Sequence, residues 1–217
     1  MAMLTKLLRW LGVSTFAIAR QTIPVLTCVC FELRIRRRIK IEETTHELND
    51  DMEQYVVLEL DSLGSAHRLE LERREQLRRN AQGNLAAITV AMSFIFGVIG
   101  IFGNSSIPAV DTSIVIAVRV CGAVAVLSFL MSAVSAMRAL APAKVYDMWL
   151  QARLRPCGRS SPEGDEKARL IKAVFLNQGY NLILANYADA SNIGMRNGVV
   201  AVGAALLLMI AFGGSLW

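Results

Sequence analysis

A chain of 217 residues that is 54% apolar, with a mean hydropathy of +0.42, is richer in apolar surface than an ordinary soluble domain. Its net charge of +5 comes from 23 bases against 18 acids, with no aromatic-interleaved basic surface, which argues against nucleic acid as a partner. Four cysteines and two histidines in no ligand spacing argue against a disulfide framework or a zinc site, and the thiols are expected to be reduced.

Residues 1–40 come first, an apolar stretch carrying scattered bases. On a helical wheel Lys6, Arg9 and Arg20 share one sector, while Trp10, Leu11 and Phe16 can dip toward acyl chains. That is the pattern of a helix lying in the headgroup region, and Pro24 should kink or end it. The alternatives are a fourth span, a signal peptide cut after Ala17-Ile18-Ala19, or a misassigned start with Met52 as the true one. A second apolar run, Ile23 to Phe31, ends in Arg34, Arg36, Arg37, Arg38 and Lys40.

Residues 41–83 read as a charged, helical, cytoplasmic region. Its first part is acidic, from Glu42 to Asp61, with Leu48, Met52, Tyr55 and Leu63 at spacings that suit an amphipathic helix. Ser62-Leu63-Gly64-Ser65 reads as a break, with Ser65 as the cap of the next helix. From Leu69 to Arg79, Glu and Arg stand at i,i+3 and i,i+4, where they can pair along an exposed face.

Three apolar stretches follow: Asn84–Phe102, Ile114–Met137 and Gly198–Trp217. At about 1.5 Å per residue each can cross a hydrocarbon core about 30 Å thick. The first two make a transmembrane hairpin, residues 84–137, closed by a short polar loop from Gly103 to Ser113. Residues 138–197 form a second cytoplasmic helical region, helix-like from Lys144 to Arg155 and interrupted by a turn-rich linker at 156–164. Ser161 or Asp165 can cap the helix that follows it, which leads to the third span, residues 198–217.

Thirteen bases precede the first stretch, nine lie from Arg138 to Arg196, and Arg119 alone falls inside a span. The positive-inside bias then places the N-terminus in the cytoplasm and the C-terminus outside. The expected fold is an all-α membrane protein with three transmembrane helices and cytoplasmic helical extensions.

The residues that could carry function sit near the bilayer. Arg119 lies about 9 Å inside the second span. It either snorkels outward with Asp111 as its partner or lines an assembly face in a homo-oligomer. Gly97 and Gly100 in the first span, Ser128 and Ser132 in the second, and Gly194 and Gly198 entering the third are small enough for close helix approach. They serve packing within one bundle or self-association. Asn177, Asn181 and Asn186 enrich the helix before the third span, and Asn80 and Asn84 echo the spacing before the first. Such amides form a solvated face, a packed polar bundle, or a surface that couples to a trigger. There is no Walker loop, no G-x-S-x-G and no H-E-x-x-H, so neither catalysis nor a cofactor is expected.

A charged helix entering a span (Arg73-Arg74-Glu75-Gln76-Leu77-Arg78-Arg79-Asn80), a tight hairpin, and an Asn-rich helix after the inner loop form a distinctive layout. Over about residues 65 to 215 it resembles the small bacterial SLATT-type effectors and the Pycsar transmembrane effectors. Those carry an Asp and a Lys-Ala pair before the first span, where this chain has Asn84-Leu85-Ala86-Ala87. The resemblance implies an oligomerising, membrane-disrupting effector of anti-phage defence, triggered by a nucleotide signal or a cytoplasmic protein. The alternative is a non-enzymatic membrane anchor or scaffold whose cytoplasmic helices bind a partner protein.

Overall fold

The computed structural model describes residues 24–44, 52, 55–102, 112–141 and 162–213. Over these residues the chain is all-helical, without strands. The four helices are α1 (Pro24–Thr44), α2 (Leu60–Phe102), α3 (Thr112–Leu140) and α4 (Pro162–Gly213). The expected interfacial helix with Lys6, Arg9 and Arg20, the outer loop and the Lys144–Arg155 helix lie outside the described residues.

Proline opens two of the helices. At a first helical position its missing N–H has no intrahelical role, and its fixed φ suits the helix. Pro24 therefore begins α1, and Pro162 begins α4 inside the stretch expected to be linker. Ser161, one of the two expected caps, lies outside the described residues.

The expected break at Ser62–Ser65 does not occur, because α2 runs through it. Ser65 donates its hydroxyl to the Asp61 carbonyl at 3.0 Å instead of capping a helix. The helix starts earlier, where the Leu63 N–H donates to the Glu59 carbonyl at 3.0 Å. Leu63 is fully buried against Met52 and Ile171. Burying such a side chain is worth roughly 1.5–3 kcal/mol, more than the about 1 kcal/mol that Gly64 costs in a helix.

Burial along α2 recurs at a fixed interval. His67, Arg74, Ala81, Ile88 and Ile95 are all buried, each seven residues after the last. In α3, Ala125, Phe129, Ser132, Ala136 and Ala139 are buried at alternating steps of four and three. Both spacings average 3.5 residues, the interval at which one helix keeps a constant face toward its neighbours.

The chain divides into two compact units. One takes the described parts of Met1–Thr27, Ala81–Arg138 and Tyr187–Trp217; the other takes those of Cys28–Asn80 and Ala139–Asn186. In the second unit, Met52, Leu63 and Ile171 form a core with Tyr55, Leu170 and Phe175 packed around it. The Arg38 guanidinium stands 5.6 Å over the Phe175 ring, within cation–π range. The Tyr55 hydroxyl donates to Gln178 Oε1 at 2.9 Å.

In the first unit, Ile88, Ile95, Ala125 and Phe129 form the core, joined by Met92, Val126, Met195 and Val202. Here α2 and α4 run parallel, since Asn84 bonds Ser191 and Asn192 while the later Ile95 clusters near Val202. Ser132 bonds Ser191 and the earlier Phe129 meets Gly198, so α3 is antiparallel to α4.

Among the described residues two helices are long and apolar enough to cross a membrane, over Val115–Leu140 and Glu166–Ala211. Three were expected. The remaining stretch, Asn84–Phe102, runs into residues 97–102, whose side chains lie outside the description.

Gly194 and Gly198 are where the first unit is tightest. A Cβ at Gly194 would lie 2.9 Å from Ser132 Cβ and 3.0 Å from the Ser128 carbonyl oxygen, and one at Gly198 would lie 2.8 Å from the Phe129 ring. Gly194→Ala is expected to destabilise by about 1–3 kcal/mol through overpacking. Gly203→Ala, where an added Cβ meets nothing within 4 Å, should leave stability unchanged or slightly raised. Thermal unfolding of both variants in mild detergent checks this, and equal melting temperatures would contradict the packing described.

Candidate functional site

The second unit holds a buried polar cluster centred on Asn181. Its Nδ2 donates to the Glu70 backbone carbonyl and to Glu70 Oε2, each at 2.7 Å. Its Oδ1 accepts from Arg74 Nε at 3.0 Å. Both amide hydrogens and the amide oxygen are thus engaged, which is what allows the side chain to be fully buried.

Arg74 is only 5% exposed. Burial pushes its pKa down and the neighbouring Arg78 acts in the same direction, while Tyr180 and Glu70 oppose them. The guanidinium nevertheless stays charged at any working pH, so this cluster is a fixed ionic clasp. Arg78 is drawn off to the Leu140 carbonyl, which it meets through Nη2 at 3.3 Å. Asn177 and Lys172, on the turns of α4 before Asn181, are buried as well. Asn186 contributes through its backbone, whose carbonyl accepts from the Cys28 thiol at 3.3 Å. Cys28, Cys30 and Cys121 are free thiols.

The proposed coupling residues are therefore built into the interior: Asn177 and Asn181 are buried and Asn186 is half-buried. Glu70 pairs with Arg73 at 3.9 Å, the i,i+3 pairing expected. Sequence reading missed its bond to Asn181 and the burial of Arg74, taking both residues as members of an exposed charged face. The seven-residue interval linking Arg74 to His67, Ala81, Ile88 and Ile95 shows in their burial and not in their hydrophobicity.

In the first unit, Asn84 Nδ2 donates to Asn192 Oδ1 at 2.7 Å and approaches Ser191 Oγ at 3.4 Å. Ser132 Oγ donates to the Ser191 carbonyl at 2.5 Å. Ser128 and Ser132 are both buried. Ser128 and Ser132 of α3 thus meet Gly194 and Ser191 of α4 within a single chain. Gly97 and Gly100 belong to α2, but their surroundings lie outside the description.

Arg119 is exposed on α3 and lines a groove of about 660 Å³ together with Phe94, Gly122, Ala123, Leu206 and Met209. Asp111, its expected partner, lies outside the described residues. Against known families, curated proteins and solved structures the chain was compared, and nothing matches.

Asn181→Leu should remove the amide that Arg74 Nε and Glu70 share in the interior, costing about 1–3 kcal/mol. Replacing all three residues together, as Glu70→Leu, Arg74→Met and Asn181→Leu, should recover most of that loss. Chemical unfolding of the single and triple variants measures the difference. A single variant as stable as the parent would show that the clasp contributes nothing.

Proposed function

We propose that the chain is a multi-pass protein of a bacterial inner membrane. In this reading it has three spans, a cytoplasmic N-terminus and an outside C-terminus, and it anchors a folded polar module without catalysing a reaction. The observation that carries this is uncovered apolar surface. Only 22% and 17% of the most apolar windows of α3 and α4 are buried within the chain. A core helix of a soluble protein would be mostly covered, and a signal sequence would lie near the N-terminus. Val120, Val124, Leu127 and Leu130 of α3, and Val199, Leu207 and Ile210 of α4, instead face outward. Phe94 and Phe96 of α2 do the same, which supports a third span beside the other two. Apolar surface of this extent is stable in lipid and not in water.

Between the two roles left open by the sequence, the internal engagement of small and polar residues supports the anchor or scaffold. Ser128 and Ser132 meet Gly194, and Phe129 meets Gly198, inside the chain, which removes these residues from an assembly face. Asn181 is saturated and so is not a trigger-binding amide. Partner binding then falls to the exposed outer faces of the polar module. The oligomerising defence effector is the second reading, favoured by one observation: an arginine exposed on an otherwise apolar helix face.

Alkaline carbonate washing of membranes should leave the protein in the pellet, and a reporter fused after Trp217 should be active only outside the cytoplasm. Release by the wash sinks the membrane reading, and cytoplasmic reporter activity sinks the three-span topology. Induction in a bacterial host should leave membrane potential and growth unchanged if the protein is an anchor. Depolarisation relieved by Arg119→Leu would replace that role with the effector.

A further inference from the structure

The groove beside Arg119 combines an apolar lining with a single charge. Arg119 is the one charged side chain among those lining it. It forms no ion pair or hydrogen bond with another described residue. The floor is open: a Cβ added at Gly122, nearly one turn further along α3, meets nothing within 4 Å. Ala123 and Ala205 leave further room. A volume of about 660 Å³ lies within the roughly 300–1,000 Å³ typical of small-molecule sites.

An arginine in an apolar span is costly without an anion, and none of the residues lining this groove is an acid. The stretches Asn84–Phe102, Ile114–Met137 and Gly198–Trp217 contain no Asp or Glu. A second copy packed span against span would therefore bring no carboxylate from these stretches to the guanidinium. The bilayer does supply an anion. Arg119 lies seven residues after the start of α3, roughly 10 Å along the axis, a depth from which an arginine snorkels to the headgroup region. Its planar guanidinium matches a phosphodiester in bidentate fashion.

We propose that this groove binds one anionic phospholipid, with the phosphate on Arg119 and an acyl chain along Phe94, Gly122, Leu206 and Met209. The assignment rests on the membrane-spanning reading. A lipid with net negative charge is preferred over a zwitterionic one, because an ethanolamine ammonium would sit beside the same guanidinium.

The test uses the full chain reconstituted in vesicles of phosphatidylethanolamine and phosphatidylglycerol, re-extracted in mild detergent, with retained lipid quantified by mass spectrometry. Phosphatidylglycerol should be enriched over its share of the vesicle. Arg119→Leu should lower that enrichment roughly tenfold, the size of one lost charge-assisted hydrogen bond. Gly122→Leu keeps the charge but fills the groove, and should lower the total lipid retained. Both variants are checked for parental helicity and melting temperature. Lipid retained at bulk composition by the parent, or unchanged retention in either folded variant, overturns the proposal. So does an Arg119→Leu variant that dissolves a cross-linkable dimer without altering the lipid, since the groove then holds a second copy. Carbonate release would defeat the membrane reading itself, whereas bulk lipid on a carbonate-resistant protein defeats the groove alone.

Discussion

From His67 to Ile95, helix α2 turns one residue in seven to the interior whatever that residue's chemistry. The positions it presents are His67 and Arg74, then Ala81, then Ile88 and Ile95. A face held at this interval cannot set an arginine aside, so a charge at Arg74 must be accommodated where it falls. Asn181 answers that demand by saturating its amide between Arg74 and Glu70. Further along the same helix the interval delivers small and branched apolar side chains, and the packing there becomes one of shape.

In that apolar unit the helices are held by proximity. Van der Waals contact between small residues and interhelical hydrogen bonds make up the contact between its helices. Gly194 and Gly198 let α3 come close enough for Ser132 to donate to the carbonyl of Ser191. The serines are thus at once small residues and hydrogen-bond donors. The Ser132 hydroxyl is satisfied inside the chain, and Val120, Val124 and Leu127 are exposed near Arg119 on α3.

Much of the helical framework was legible in the sequence. The apolar runs, the polar segments between them and the small-residue positions at Ser128, Ser132, Gly194 and Gly198 could be read directly. Ser62–Ser65 was misread because local turn propensity is weaker than the burial of Leu63, which depends on residues more than a hundred positions away. Arg74 was misread because a hydrophobicity pattern cannot reveal an inward face that changes from imidazole and guanidinium to alanine and isoleucine. The paired amides at Asn177 and Asn181 were visible as one face, but only the position of Glu70 and Arg74 decides that the face points inward.

The close approach at Gly194 and Gly198 also bears on ancestry. Room for a single hydrogen at each position, set against Ser132 and Phe129, ties two distant segments to a common fate. The Ser-Phe-x-x-Ser of α3 and the Ser-x-x-Gly-x-x-x-Gly of α4, 59 residues apart at Ser132 and Ser191, can change only in concert. Charged surfaces and loops drift freely by comparison. Descendants whose overall similarity has faded should still carry this two-part signature, and it would betray kinship after the rest of the chain had become unrecognisable.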